Sequence, residues 1–142
     1  MNKEQIEMVS VEQLVPEKHS YRKLKKLLNF EQIAKSVKVK SFEVGEEGFG
    51  KARLSMCLIL QFMEDLSDRE FERFISENNT AKWFCGFGLL EKTPDFTTIC
   101  KFRNSIGTKQ MGNLFQEVKQ QMQSRRRYVV NKAATDCPAA AN

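Results

Sequence analysis

Residues 51–65 have the sequence KARLSMCLILQFMED, and this stretch decides the fold. Its apolar residues recur at nearly every position, not along a single stripe, and an acidic pair ends it. A helix that is apolar on most sides has to be enclosed by other elements of the protein. The stretch is also shorter than the roughly 20 apolar residues that span a bilayer. The sequence therefore predicts the central helix of a compact, all-α domain.

Two short helical signals follow between Leu66 and Cys85. Ser67 and Glu70 have the spacing of a capping box, in which each side chain bonds the other residue's backbone amide. The next helix is predicted to be capped by Thr80 and to end at Gly86. Aromatic and branched residues at helical spacing form the predicted buried stripes of both helices: Phe71, Phe74, Ile75, Trp83, Phe84 and Phe87.

A third helix is predicted from Phe96 to Ile106, after the stop at Pro94 and a cap by Asp95 or Thr97. Gly107 closes it. Its apolar residues recur every three or four positions and face inward, so small polar and basic residues face largely outward: Thr97, Thr98, Lys101 and Asn104, with Arg103 near the boundary. Such side chains can bond phosphates and base edges. The pattern predicts a helix-turn-helix-like element, although an ordinary surface helix has the same pattern.

The last predicted helix opens at Thr108 or Lys109 and has the clearest apolar stripe in the chain, which is Met111, Leu114, Phe115, Val118 and Met122. Three arginines end it: Arg125, Arg126 and Arg127. They suit a phosphate clamp, and they equally suit the negative end of the helix dipole. Residues 128–130 have the composition of a possible strand, and residues 131–142 are predicted to be a disordered tail.

Charge is distributed in blocks along the 142 residues. The net charge is +5, yet residues 18–40 and residues 97–132 each sum to +7. Blocks of one sign can attract phosphate before any specific contact forms.

Two amphipathic helices are predicted upstream of the central helix, near residues 17–29 and 30–39, with a glycine-rich loop at 41–50. The lysine face from Lys18 to Lys26 is interpreted as a solvated face that adds non-specific attraction.

The composition excludes several other classes of function. No apolar run is long enough for a membrane span, and the polar start has no signal-peptide core, so a cytoplasmic, nucleoid-associated location is expected. The four cysteines contain no Cys-x-x-Cys pair, and His19 is the single histidine, so reduced buried thiols are expected instead of a metal site. Nucleotide-binding and hydrolase motifs are absent. We therefore expect no enzyme activity, cofactor, metal or small-molecule substrate.

Four blocks resemble one family in their order and spacing. They are residues 9–24, with the phrase Val9–His19 before Tyr21–Leu24, then Leu66–Glu72 after the apolar helix, Trp83–Phe87, and Pro94–Arg103. Over residues 7–130 the chain resembles the InsH-type N-terminal domain of insertion-sequence transposases with an Asp-Asp-Glu catalytic triad. The resemblance implies a helical DNA-binding domain that recognises the ends of an element.

In that family the catalytic carboxylates lie downstream, in a ribonuclease-H-like domain with two divalent metals. Asp136 does not have the expected surroundings of the first of them, and no catalytic residue is assigned. The sequence is therefore expected to comprise a DNA-binding domain at residues 1–130 and, at 131–142, a tail that is possibly the frame-disrupted start of a missing catalytic domain. Two alternatives stay open. The chain is a protein-interaction module that pairs with itself or with an intact transposase, or it is a non-functional remnant.

Overall fold

The computed structural model describes residues 7–37 and 49–135, with only the backbone helix described for residues 125–135. These parts of the chain form seven α-helices and no strand. The helices in chain order are α1 Val11–Leu14, α2 Ser20–Leu27, α3 Phe30–Ser36, α4 Lys51–Met63, α5 Asp68–Glu77, α6 Asn79–Cys85 and α7 Phe96–Thr135. The predicted all-α class is confirmed.

Helix α4 is the centre of the domain, as its sequence predicts. Every residue from Leu54 to Gln61 is buried, and α3, α6 and α7 pack around the helix. The two polar members of this run have partners. Ser55 Oγ donates to the carbonyl of Lys51 at 2.7 Å, and Gln61 Nε2 donates to Asp68 Oδ1 at 2.8 Å. The enclosure ends with the helix, because Phe62 and Met63 are exposed, contrary to their expected burial.

Helices α5 and α6 meet at Asn78, which ends one and begins the other. The backbone amide of Asn78 bonds the carbonyl of Phe74, and its side chain accepts from the amide of Ala81 at 3.0 Å. The cap predicted for Thr80 is therefore wrong, because Thr80 already lies inside α6. The capping box of Ser67 and Glu70 at the start of α5 is confirmed.

Helix α7 is bent at Gly107 into two arms, residues 96–106 and residues 108–135. Gly107 has φ 75° and ψ 170°, which breaks the helical backbone where the sequence predicts an end. The first arm buries Ile99, Phe102 and Ile106 against the core. The second arm buries Leu114 and Val118, while Met111 and Phe115 are partly buried.

The C-terminal backbone differs from the sequence-based expectation. Helix continues through Tyr128, Val129 and Val130, so the possible strand there is wrong for this structure. It also continues to Thr135, past the predicted domain boundary at residue 130. The first part of the predicted disordered tail, residues 131–135, is therefore helical. The remainder of that tail, residues 136–142, lies outside the described residues.

Side chains of α2 join α1 to α2 and α2 to the end of α4, whereas α3 packs on α4 directly. Arg22 donates to the carbonyls of Glu12, Val15 and Pro16, which ties the end of α1 to α2. His19 caps α2, because its Nδ1 accepts from the amide of Tyr21 at 3.1 Å. Tyr21 itself is buried and donates its hydroxyl to Glu64, just after α4. His19 therefore has a capping role that the expectation of a surface residue missed.

Candidate nucleic-acid interface

The exposed face of the first arm of α7 is the candidate interface. Thr97, Lys101 and Asn104 are all exposed and recur at intervals of four and three, which aligns them along one side of the helix. Lys101 takes part in no hydrogen bond or ion pair among the described residues. Asn104 has only a long contact, from Nδ2 to Cys100 Sγ at 3.6 Å. The predicted outward placement of these three residues is confirmed.

Thr98 does not share that face. It is 5 % exposed, so its predicted outward placement is wrong. The reason is the cap of the helix, since both the amide and the hydroxyl of Thr98 donate to Asp95 Oδ1 at 2.8 Å. These bonds turn the side chain back toward the loop before the helix. Sequence periodicity places Thr98 outward, but the cap at Asp95 decides the direction of its side chain.

The N-terminus of this arm is occupied by carboxylates of the protein itself. Asp95 Oδ1 also accepts from the hydroxyl of Thr97 at 2.7 Å, and Glu72 Oε1 accepts from the amide of Phe96 at 3.2 Å. The hydrogen bonds from Thr97 and Thr98 lower the pKa of Asp95 to about 2. Because these acids already satisfy the first amides, the side of the helix is the surface available to a ligand.

Arg103 is engaged by an ion pair with α5. Its Nη2 donates to Asp68 Oδ1 at 2.6 Å and also bonds Asp68 Oδ2, and Gln61 from α4 shares the same carboxylate. Burial alone would raise the pKa of Asp68, but the bonds from Arg103 and Gln61 outweigh it and lower that pKa. The pair joins residues 35 positions apart, so no local spacing in the sequence predicts it.

Arg69 is a basic residue of this region that the sequence analysis did not select. It lies on α5, is exposed, and places its guanidinium carbon 4.5 Å from the ring centroid of Phe96. Phe96 is the first residue of the first arm of α7. The sequence carries no signal for this contact, because it depends on how α5 crosses α7.

The arginines at residues 125–127 cannot be placed at the interface. Their backbone belongs to the helical second arm, but the side chains of Arg125, Arg126 and Arg127 lie outside the described residues. Their predicted phosphate contacts stay a prediction.

The basic residues of α2 divide into two sets. Arg22 and Lys25 both lie over the ring of Trp83, at 4.9 and 4.0 Å from its centroid, and Lys25 Nζ donates to the Trp83 carbonyl. Burial lowers the pKa of Lys25. Lys23 and Lys26 are exposed. Part of the predicted solvated face is therefore structural packing around Trp83.

An apolar groove lies between α2, α4 and the second arm of α7, on a different part of the surface. Its volume is about 740 Å³, and nearly all of its lining is apolar: Leu24, Leu27, Ile59, Phe62, Met63, Phe115, Val118 and Met122. Phe62 is 70 % exposed and contacts the Phe115 ring at a centroid distance of 4.6 Å. Exposed apolar surface of this kind is typical of interaction sites.

The cysteines and carboxylates form no candidate metal centre in the described residues. No group of three His, Cys, Asp or Glu side chains is close enough to hold an ion in that part of the chain. Cys57 and Cys85 are buried as free thiols, and Cys100 is partly buried. Burial raises the pKa of the Cys85 thiol. Cys137 lies outside the described residues.

Comparison with protein families identifies the domain that contains this face. A family model described as a transposase domain (DUF772) matches residues 9–105, which include α1 to α6 and all but the last residue of the first arm of α7. The chain belongs to this transposase domain family. Membership indicates a function connected with transposition. The matched range of the transposase domain ends at the bend of α7, so it contains Thr97, Lys101 and Asn104 but not the second arm.

The other comparisons add no relatives of the transposase domain. Neither the curated proteins nor the solved structures contain a significant match to the chain.

Among the helices that the structure describes, none is both long and apolar enough to cross a membrane.

We predict that Arg103→Ala destabilises the transposase domain. Asp68 is partly buried and would lose both bonds from the guanidinium, so the free energy of unfolding should fall by about 1–2 kcal/mol. Lys101→Ala is the matched control on the same arm, and we expect it to stay within about 0.5 kcal/mol of the wild type. Urea unfolding followed by circular dichroism measures both. Equal stability of the two variants would contradict a structural role for Arg103.

We predict a pH-dependent contribution from the Asp95 cap. The folded pKa of about 2 lies below an unfolded pKa of about 3.9, so the carboxylate stabilises the fold above pH 4 and loses that effect as the pH falls toward 2. Asp95→Asn keeps a capping oxygen but does not titrate. The wild type should therefore be the more stable protein near pH 5, and the difference should shrink by pH 2. A difference in unfolding free energy that is constant with pH would refute this.

Proposed function

We propose that this chain is the DNA-binding part of a transposase and that it binds duplex DNA through the first arm of α7. The observation that supports this most directly is the exposed stripe of Thr97, Lys101 and Asn104 within the matched range of the family. These side chains suit a nucleic acid, because ammonium and hydroxyl groups bond phosphates and an amide can bond an adenine edge. The ends of a transposable element are the natural duplex target of such a domain.

The packing of α5 and α7 supports this role. Helix α5 contacts both α6 and α7, and the Asp68–Arg103 pair fixes the first arm against α5. A reading helix needs such support, since a loosely held helix would lose entropy on binding. The loop of residues 86–95 between α6 and α7 is longer than the short turn of a strict helix-turn-helix motif. The proposal is therefore a helix-turn-helix-like reader that binds without catalysing strand transfer.

The proposed role carries a location with it. A protein that binds duplex DNA acts where that DNA lies, which agrees with the predicted cytoplasmic, nucleoid-associated location. Neither a cofactor nor a small-molecule substrate is part of the proposal.

We predict that Lys101→Ala weakens binding to duplex DNA and flattens its salt dependence. Losing one phosphate contact should lower the affinity by roughly three- to tenfold and reduce the slope of log K against log salt by about 0.9. Fluorescence anisotropy with a labelled duplex at two or more salt concentrations measures both quantities. Lys35→Ala, an exposed lysine on α3, is the control and should change neither.

A footprint at Cys100 gives an independent readout of the same surface. Cys100 is partly buried beside Lys101 and contacts Asn104, whereas Cys57 and Cys85 are buried. Bound duplex should slow the alkylation of Cys100 by a maleimide, as followed by peptide mass spectrometry. Unchanged alkylation under saturating DNA, or an unchanged salt slope in Lys101→Ala, would contradict binding at this face.

Self-association is a second candidate function, and the apolar groove is the observation that favours it. A twofold pair needs the same patch on both partners. The second arm of α7 can supply such a patch, because one of its sides lines the groove. Met122 on that side is 39 % exposed and continues the apolar surface along the arm. Two such arms packed against each other would cover Phe62 on both copies. A second copy of this chain is the occupant that we propose for the groove.

We predict that Phe62→Glu shifts this association toward the monomer. The wild type should show a light-scattering mass that rises with concentration from 16.5 kDa toward roughly twice that value. Phe62→Glu should hold the mass at the monomer, because a charge would be buried in the apolar contact. Leu90→Glu is the control, since Leu90 is fully exposed outside the groove. A wild type that stays monomeric at all concentrations would exclude self-association through this groove.

A further inference from the structure

The exposed face of the first arm of α7 has different neighbours at its two edges. Phe96 and Arg103 lie on the edge that faces α5, where they contact Arg69 and Asp68. Lys101 lies about 140° further around the helix from Phe96, as the 3.6-residue turn requires. Asn104 and Thr97 lie between, at about 80° and 100° from Phe96. Thr97 and Asn104 therefore lie between α5 on one side and Lys101 on the other.

The guanidinium of Arg69 is held at the α5 border. Its 4.5 Å distance to the Phe96 ring is that of a cation–π contact. The backbone of Phe96 is held in turn, because its amide donates to Glu72 Oε1 at the first residue of α7. Arg69 is exposed, so its donors are available to a ligand while its position is restrained.

The acidic groups nearest to this border are already engaged. Asp68 is paired with Arg103, Glu72 accepts from the Phe96 amide, and Asp95 accepts from Thr97 and Thr98. Glu70 accepts from the Ser67 backbone in the capping box. In the part of the chain that the structure describes, Arg69 and Lys101 are exposed on either side of Thr97 and Asn104, and neither is paired with a carboxylate.

We propose that Arg69 and Lys101 lie on either side of Thr97 and Asn104 and bind phosphates on the two opposite strands that border a DNA major groove. A helix of about 10–12 Å diameter fits a major groove about 12 Å wide, and the walls of that groove are the two phosphate backbones. Thr97 and Asn104 then face the base edges. This inference rests on the proposed function and extends it, since it assigns a DNA contact to α5.

The test compares two arginines of the same helix. Arg73 lies one turn after Arg69 on α5, is 81 % exposed and pairs only weakly with Glu77, at 3.8 Å. Arg69→Ala should weaken duplex binding roughly three- to tenfold and lower the salt slope by about 0.9, while Arg73→Ala should change neither. Arg69→Lys keeps the charge and should retain most of the salt slope. Circular dichroism and thermal unfolding show that each variant is folded.

A double variant tests the straddling geometry. Arg69→Ala with Lys101→Ala should lower the salt slope by about 1.8, because the two residues contact different phosphates. Equal effects of Arg69→Ala and Arg73→Ala would overturn the inference, since general charge would then explain both. Loss of affinity in Lys101→Ala alone, with Arg69→Ala unchanged, would overturn it and leave the proposed function intact. A wild type that binds no duplex at low salt would overturn both.

Discussion

The need to enclose α4 governs the arrangement of the other helices. Its buried run from Leu54 to Gln61 has no side that water can occupy without exposing apolar surface. Each fully buried Leu or Ile contributes roughly 1.5–3 kcal/mol, so a domain of this size depends on covering that run. Helices α3, α6 and α7 provide the cover. Caps and ion pairs keep the short elements in place, and α3, α6 and α7 take their positions on the surface of α4.

The carboxylate of Asp68 converts that packing into a fixed orientation. It accepts from Gln61 at the end of α4 and from Arg103 on α7, while it begins α5 itself. One side chain therefore joins three helices. Apolar packing alone allows helices to slide, whereas the charge-assisted bonds from Arg103 Nη2 to the Asp68 carboxylate restrict the distance between α5 and α7 at this point. The first arm of α7 thus keeps a defined crossing with α5, and this crossing brings Arg69 over Phe96.

The sequence predicts the elements of this fold better than their contacts. Periodicity identifies α4, the buried residues Ile99, Phe102 and Ile106 of α7, and the break at Gly107, since each of these depends on local spacing. Periodicity places Thr98 outward and identifies no partner for Arg103. Both errors arise because a capping bond and a partner 35 residues away are not properties of local spacing. The exposure of Phe62 has the same origin, since helix α4 continues past the elements that cover it.

The bend at Gly107 separates the two surfaces that the chain offers. The polar stripe lies on the first arm, and the apolar groove is formed in part by the second. A straight helix would continue the direction of the first arm, whereas a φ of 75° redirects the second arm along α4 and α2. The proposed DNA binding and the proposed self-association therefore involve different residues and are compatible in one molecule. If both proposals hold, each copy of a pair keeps its own first arm of α7 exposed, and the twofold axis relates the two arms to each other.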